Sequence, residues 1–217
     1  MTTNNHPTNR NLKLFYGERF MGLSVNQRHR PLVTNYLQAI HETLCAANQA
    51  HSQMLVIRID LNLPEQYSKE LTRDNLLVTK FIQSIKSKIS NRRIRLLKVG
   101  KRCHETRLRY IWIRESTNND RPHFHMALIL NRDTFRGLGE FALGNGSLYS
   151  MIHEAWASAL DRDLSSVTGL VHIPNNAIYA VKRGEAFEEL FYRLSYFAKA
   201  ETKAWGNKTH AFGCSRS

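Results

Sequence analysis

The chain has 217 residues, in which Lys and Arg outnumber Asp and Glu by 31 to 18 for a formal charge of +13. That length suits one domain able to bury its own core without a staple, and the charge favours a polyanionic partner, nucleic acid first. No stretch reaches the ~20 apolar residues of a spanning helix, and Met1 to Arg10 lacks the apolar core of a signal peptide, so a cytoplasmic protein with no membrane partner is expected. Cys45, Cys103 and Cys214 are odd in number and lack C-x-x-C spacing, which argues against a disulfide framework or a zinc finger and for reduced thiols.

A polar segment runs to about Arg30. From Pro31 to Ala50, Leu32, Tyr36, Leu37, Ile40 and Leu44 recur at helical spacing and predict one amphipathic helix. Met54 to Leu63 alternates, is rich in β-branched residues and stops at Pro64, as a strand does. Between Asn75 and Ile89 the apolar positions Leu76, Phe81, Ile82, Ile85 and Ile89 return to helical spacing, with Lys80, Lys86 and Lys88 beside them. Arg92, Arg93, Arg95, Lys98, Lys101 and Arg102 then crowd around what reads as a short apolar strand; such a run is either a solvated edge or a surface for phosphates.

The chemical centre is a predicted hairpin. Tyr110 to Glu115 alternates as a strand, Ser116 to Pro122 is a polar turn, and His123 to Leu130 is apolar and extended. With Glu115 opposite His123, both side chains leave one face of the sheet, and His125 joins them because strand side chains repeat every second residue. Two imidazoles and a carboxylate, with open positions left for water and phosphate oxygen, suit Mn²⁺ or Mg²⁺ and can hold Zn²⁺ or Ni²⁺. Asp60 and His104 are alternatives to Glu115 as third ligand. A His-x-His pair alone carries little weight, since ten histidines placed at random give one in roughly every second such chain.

Farther on, Tyr149 to Leu160 reads as a helix through Met151, Ile152, Ala155, Trp156 and Leu160, and Gly169 to Ile173 as a short strand, with His153 and His172 taken as structural. Tyr192-x-x-x-Tyr196-x-x-Lys199 is more specific than the histidine pair, expected by chance in about one chain in seventy. On a helix, Phe187, Leu190, Phe191, Leu194, Phe197 and Ala198 form an apolar stripe, and Tyr192, Tyr196, Lys199 and Lys203 fall opposite it, free to serve a site. A tyrosine is a poor nucleophile at neutral pH unless a metal polarises its target or a cation such as Lys199 stands beside it. Trp205-Gly206 is expected to end this helix, and Asn207 to Ser217 to be a polar arm.

Arg121-Pro122-His123-Phe124-His125-Met126, preceded by Trp112-Ile113-Arg114-Glu115 and followed by the two-tyrosine motif, resembles the HUH endonucleases of rolling-circle replication. The likeness is to the prophage and inovirus-type replication proteins that carry the YagK/YfjJ C-terminal domain, and it spans roughly Met54 to Trp205. It implies an α+β fold with a central antiparallel sheet, an HUH or RRM-like palm flanked by helices, preceded by an N-terminal arm and helix over 1–50 and followed by a tail over 206–217. It also implies a reaction: Tyr196 attacks a phosphodiester of single-stranded DNA at a replication origin, forming a 5′-phosphotyrosine link and freeing a 3′-hydroxyl for a host polymerase, while Tyr192 makes a second attack. The catalytic residues are then Tyr196, Tyr192 and Lys199 and the metal ligands His123, His125 and Glu115, with Arg92, Arg93, Arg95, Lys98, Lys101, Arg102, Arg114 and Arg121 as DNA contacts. The chain has no Walker-type G-x-x-x-x-G-K-[ST], so strand separation falls to a host helicase. Two rivals remain: a DNA-binding module on the same fold that does not cut, and a single-strand or RNA binder that stacks bases on Tyr110, Trp112 and Phe124.

Overall fold

A computed structural model describes residues 5–6, 9–67, 75–116, 122–201 and 210–215. Short strands β1 (Leu14–Phe15), β2 (Arg19–Phe20), β3 (Leu23–Ser24) and β4 (Leu32–Val33) lead into helix α1 (Thr34–Ala50) and strand β5 (Gln53–Leu61). Helix α2 (Leu76–Lys98) is followed by β6 (Arg109–Ser116) and β7 (Pro122–Asn131), and then by α3 (Leu148–Leu160). The chain closes with β8 (Val171–His172), β9 (Ile178–Lys182), α4 (Glu188–Ser195) and β10 (Phe212–Cys214).

Six strands make one antiparallel sheet in the order β10-β6-β7-β5-β8, with β9 also paired to β5. The α+β class with a central antiparallel sheet that the resemblance implies is the observed one. Because side chains alternate across a strand, the sheet has two buried faces. Leu55, Ile57, Trp112, Phe124 and Leu128 pack under α2 and α3 on one. Met54, Val56, Ile111, Ile113, Ala127 and Ile129 pack under α1 and α4 on the other. Phe124 and Trp112 are 1% and 7% exposed, so these two proposed stacking platforms are core residues.

Three expectations are corrected. The cationic run after Ile89 is not a strand: α2 continues through it to Lys98, since Arg, Leu and Lys are strong helix formers in register with the turns before them. It ends in a Schellman motif, with Gly100 at φ 71° and bonds from Gly100 N to Leu97 O and from Lys101 N to Leu96 O, at 3.0 and 2.9 Å. The tyrosine helix does not reach Trp205, which lies outside the described residues; α4 stops at Ser195, a 3-10 turn carries Tyr196–Ala198, and Lys199 is extended at ψ 137°. The expected polar arm contains β10, which pairs Phe212 with Ile113 and Cys214 with Ile111 and so continues the sheet past β6.

Candidate active site

The polar positions of three strands meet at one end of the sheet, on the face shared with α1 and α4. Registration of the hairpin sets Glu115 against His123, as its alternation predicts, and β5 sets Asp60 against His125. Ligand atoms of Glu115, His123 and His125 all lie within 4.8 Å of one another, close enough together to hold a metal ion. His125 Nδ1 lies 2.6 Å from Asp60 Oδ1, which leaves Nε2 on the Glu115 side, 3.4 Å from Glu115 Oε2. A carboxylate on the far nitrogen of an imidazole is the usual device for fixing ring orientation at a metal. His104, the other alternative to Glu115, lies beyond the opposite end of the sheet and lines a separate cavity there.

Two carboxylates, Glu115 buried and Asp60 half-buried, set the electrostatics of the site. Burial alone would lift the Glu115 and Asp60 carboxyls, but bonds from His125 and, for Glu115, from Lys199 hold both below the ordinary range. Burial would likewise lower His125, yet Asp60 and then Glu115 outweigh it and raise the imidazole, so a metal at Nε2 has to displace a proton held there. His123 is lowered by burial and by the neighbouring His125, which keeps it in the neutral form a metal needs. Glu115 Oε1 is buried and has no hydrogen-bond partner among the described residues. An unspent carboxylate oxygen beside two imidazoles fits a divalent cation by its donor set. His123 also lines an open cavity of about 420 Å³ with Pro64, Pro122 and Leu170, so this imidazole is reachable from outside while Glu115 and His125 are buried.

Tyr196 and Lys199 join this cluster through one ammonium. Lys199 Nζ lies 2.6 Å from Tyr196 Oη and 2.9 Å from Glu115 Oε2. The half-buried Tyr196 ring is held on several sides: the His29 ring meets it edge-on at 4.8 Å, the His125 ring lies at 5.8 Å, and the Arg58 guanidinium stands 5.6 Å from its centre. The turn that carries it is tied to the N-terminal segment. Leu32 bridges to Lys199, Ala200 N donates to Pro31 O at 2.9 Å, and Asn26 N donates to Ser195 Oγ at 2.8 Å.

The two tyrosines and the lysine do not sit alike. Lys199 is only 6% exposed, because the 3-10 turn and the extended backbone after it turn its side chain into the cluster. Tyr192, 40% exposed, is one helical turn away, and no described hydrogen bond or ring contact joins its side chain to Tyr196, Lys199 or the metal cluster. Lys203 and Arg121 lie outside the described residues. Arg92, Arg93, Arg95 and Lys98 sit on the last turns of α2, with Lys101 and Arg102 just beyond, on the other face of the sheet and toward its other end. Arg114 shares the α2 face with Trp112.

The sequence reading missed His29, Arg58 and His172. His172 belongs to the rim, its Nδ1 3.4 Å from Asp60 Oδ2, whereas His153 is buried against the carbonyl of Tyr149 as a structural residue. A signal for Arg58 was present, since Arg58 and Asp60 are the two charged positions of an otherwise uncharged strand. Nothing local marks His29.

Fold and site together define an α+β domain in which a His-Glu cluster and a lysine-bound tyrosine share one end of an antiparallel sheet. The chain belongs to the YagK/YfjJ C-terminal domain family, whose model matches residues 16–215. It is 27% identical over 202 residues to the uncharacterized protein YagK of Escherichia coli (strain K12), covering 87% of this chain and 95% of that one. It is 29% identical over 199 residues to the uncharacterized protein YfjJ of the same strain, covering 85% and 95%. No solved structure matches it. Among the described residues no helix is long and apolar enough to cross a membrane.

Proposed function

We propose that the protein nicks and rejoins single-stranded DNA by transesterification at Tyr196, in the manner of HUH endonucleases that start rolling-circle replication of a phage or other mobile element. One observation carries the reading: a single buried ammonium, Lys199 Nζ, contacts both the Tyr196 hydroxyl and a carboxylate of the candidate metal cluster, at 2.6 and 2.9 Å. Nucleophile, cation and metal-binding set are therefore one network.

In this reading Tyr196 Oη attacks the scissile phosphorus, its proton leaves, and the phosphorus–3′-oxygen bond breaks as the departing oxygen takes up a proton. Bond count and redox state are conserved, so no nucleotide is consumed and the phosphotyrosine can be reversed by a returning 3′-hydroxyl. Lys199 stands where it can meet the charge left on the phenol oxygen. His29, His125 and Arg58 pin the ring, which limits the positions Oη can take. Glu115, His123 and His125 would hold Mn²⁺ or Mg²⁺, which when bound would supply Lewis-acid polarisation of the phosphate. The DNA partner, the host helicase and polymerase, and a place in the bacterial cytoplasm belong to the same proposal. Tyr192 would take part only in a second transfer, since it stands apart from the network.

A non-cutting DNA-binding module is the second reading, and one feature favours it: Lys199 already neutralises Glu115, so the site closes electrostatically without an ion. The two part on a covalent adduct. With Mn²⁺ and labelled single strands from the protein's own replicon, denaturing gels should show a protein–DNA adduct that is lost with chelator and with Tyr196→Phe. Binding that persists in chelator with no adduct on any strand would replace the nickase by the binding module.

A further inference from the structure

From Asn75 to His104 the chain contains no Asp or Glu, while it carries Lys80, Lys86, Lys88 and the six cations Arg92, Arg93, Arg95, Lys98, Lys101 and Arg102. A surface helix that merely keeps a protein in solution usually pairs its charges with acids three or four residues away. Here no such partner exists within α2, and among the described residues none of the six forms an ion pair. The buried side of the helix stops at Ile89. Beyond it Ile94 and Leu97 are 46% and 49% exposed, so the last turns of α2 project with little packed against them. At their base a cavity of about 300 Å³ is lined by the four cations Lys86, Arg92, Arg93 and Arg107, with His104 and a single acid, Glu105. Arg92 is held there by the Phe135 ring at 4.8 Å.

This element stands away from the chemistry. The cavity reaches Leu108, next to the first residue of β6, whereas Glu115 lies six residues on and faces the other side of the sheet. At ~3.3 Å per strand residue the separation along β6 is about 20 Å, before the thickness of the sheet is added. These cations therefore do not reach a phosphate bonded to Tyr196.

We infer that the projecting end of α2, with the cavity at its base, is a second nucleic-acid site that grips the sugar–phosphate backbone of DNA flanking the nick, independently of the metal. It rests on the reading of the partner as DNA, and it separates two tasks: one end of the sheet cuts, and the opposite end of the other face anchors. A span of about 20 Å equals about six base pairs of duplex at ~3.4 Å each, so the anchor takes DNA at least that far from the scissile bond.

The test measures binding of the full-length protein, in chelator, to a duplex of about 30 base pairs and to a single strand of the same length across a salt series. The variant Arg95→Gln, Lys98→Gln, Lys101→Gln, Arg102→Gln keeps helix-compatible side chains at exposed positions. Its log–log salt slope should be shallower than that of the unaltered protein by roughly 0.9 for each lost contact on duplex, or roughly 0.7 on single strand, two to four contacts in all. The larger loss tells which form of DNA is held. His123→Ala, His125→Ala should leave the slope where it was. An unmoved slope in the four-residue variant on both forms of DNA overturns the inference, as does an unmoved DNA slope beside lost binding to anionic lipid vesicles measured in the same salt series. No cutting occurs in chelator, so a protein that never forms an adduct still reports on this surface, and an adduct with an unmoved slope leaves the nickase standing without its anchor.

Discussion

Asp60 and His125 face each other across adjacent strands with Oδ1 and Nδ1 2.6 Å apart, which makes the carboxylate the support of the imidazole and not a ligand of the cluster. Asp60→Asn keeps the size of the side chain but withdraws the charge that orients the ring. Affinity for Mn²⁺ should fall by about 10- to 100-fold, read by calorimetry on the folded variant. Unchanged affinity would mean that His125 is oriented by packing alone.

Lys199 and Glu115 are 6% and 4% exposed, a buried pair in which Lys199 Nζ is, among the described residues, the cation nearest the carboxylate. Lys199→Met should destabilise the metal-free protein by about 3–5 kcal/mol in urea unfolding, the range for stranding one partner of a buried ion pair. Adding Glu115→Gln should recover much of that loss. In the unaltered protein Mn²⁺ at ~100 times its dissociation constant should add about 2.7 kcal/mol, and the gain should vanish with His123→Ala, His125→Ala. A loss below about 1 kcal/mol for Lys199→Met would show the pair to be dispensable to the fold.

Phe124 lies between the rings of Trp112 and Trp156, both centred 6.2 Å away. Phe124→Ala should cost about 3–5 kcal/mol of stability, as a fully buried aromatic does. A variant as stable as the parent but weaker on single-stranded DNA would restore the stacking-platform reading that the core position argues against.

Glu154 joins α3 to α2 through Lys88 Nζ at 2.9 Å and accepts from Ser150 Oγ at 2.7 Å. Burial would raise its carboxyl, but the hydroxyl bond and then Lys88 outweigh it, so it titrates below the ordinary value of 4.5. A carboxyl lowered on folding contributes stability above its unfolded pKa and loses it as pH falls through the folded one. Glu154→Gln should therefore cost stability at pH 7 and show a smaller further loss below pH ~4.5 than the parent. Parallel acid-unfolding curves for the two would rule out this contribution.

What could be read from the chain was what short-range pattern determines. The hairpin, its register and the cluster of Glu115, His123 and His125 follow from two-residue alternation either side of a polar turn. The end of α2 was misread because Ile94 and Leu96 alternate with cations like a strand, and only continuity with the preceding helix settles the matter. β10 is three residues long in a polar stretch and exists because β6 offers it an edge. The burial of Lys199 was invisible for a different reason: the turn that swings it inward is held by Pro31 and Leu32, and no window on the sequence contains both.

That last tie governs how the domain comes together. Glu115, His123 and His125 come from one hairpin and can gather as soon as that hairpin docks on β5. The tyrosine cannot be aimed until residues 169 positions apart, Asn26 and Ser195, have met. Contacts at such separation form late, after the loop between them has been closed at an entropic cost. A chain caught midway through folding, or clipped ahead of α1, would hold the histidines without Tyr196 and Lys199 placed beside them. On the proposed nickase reading, the protein is by this arrangement inert until it is whole.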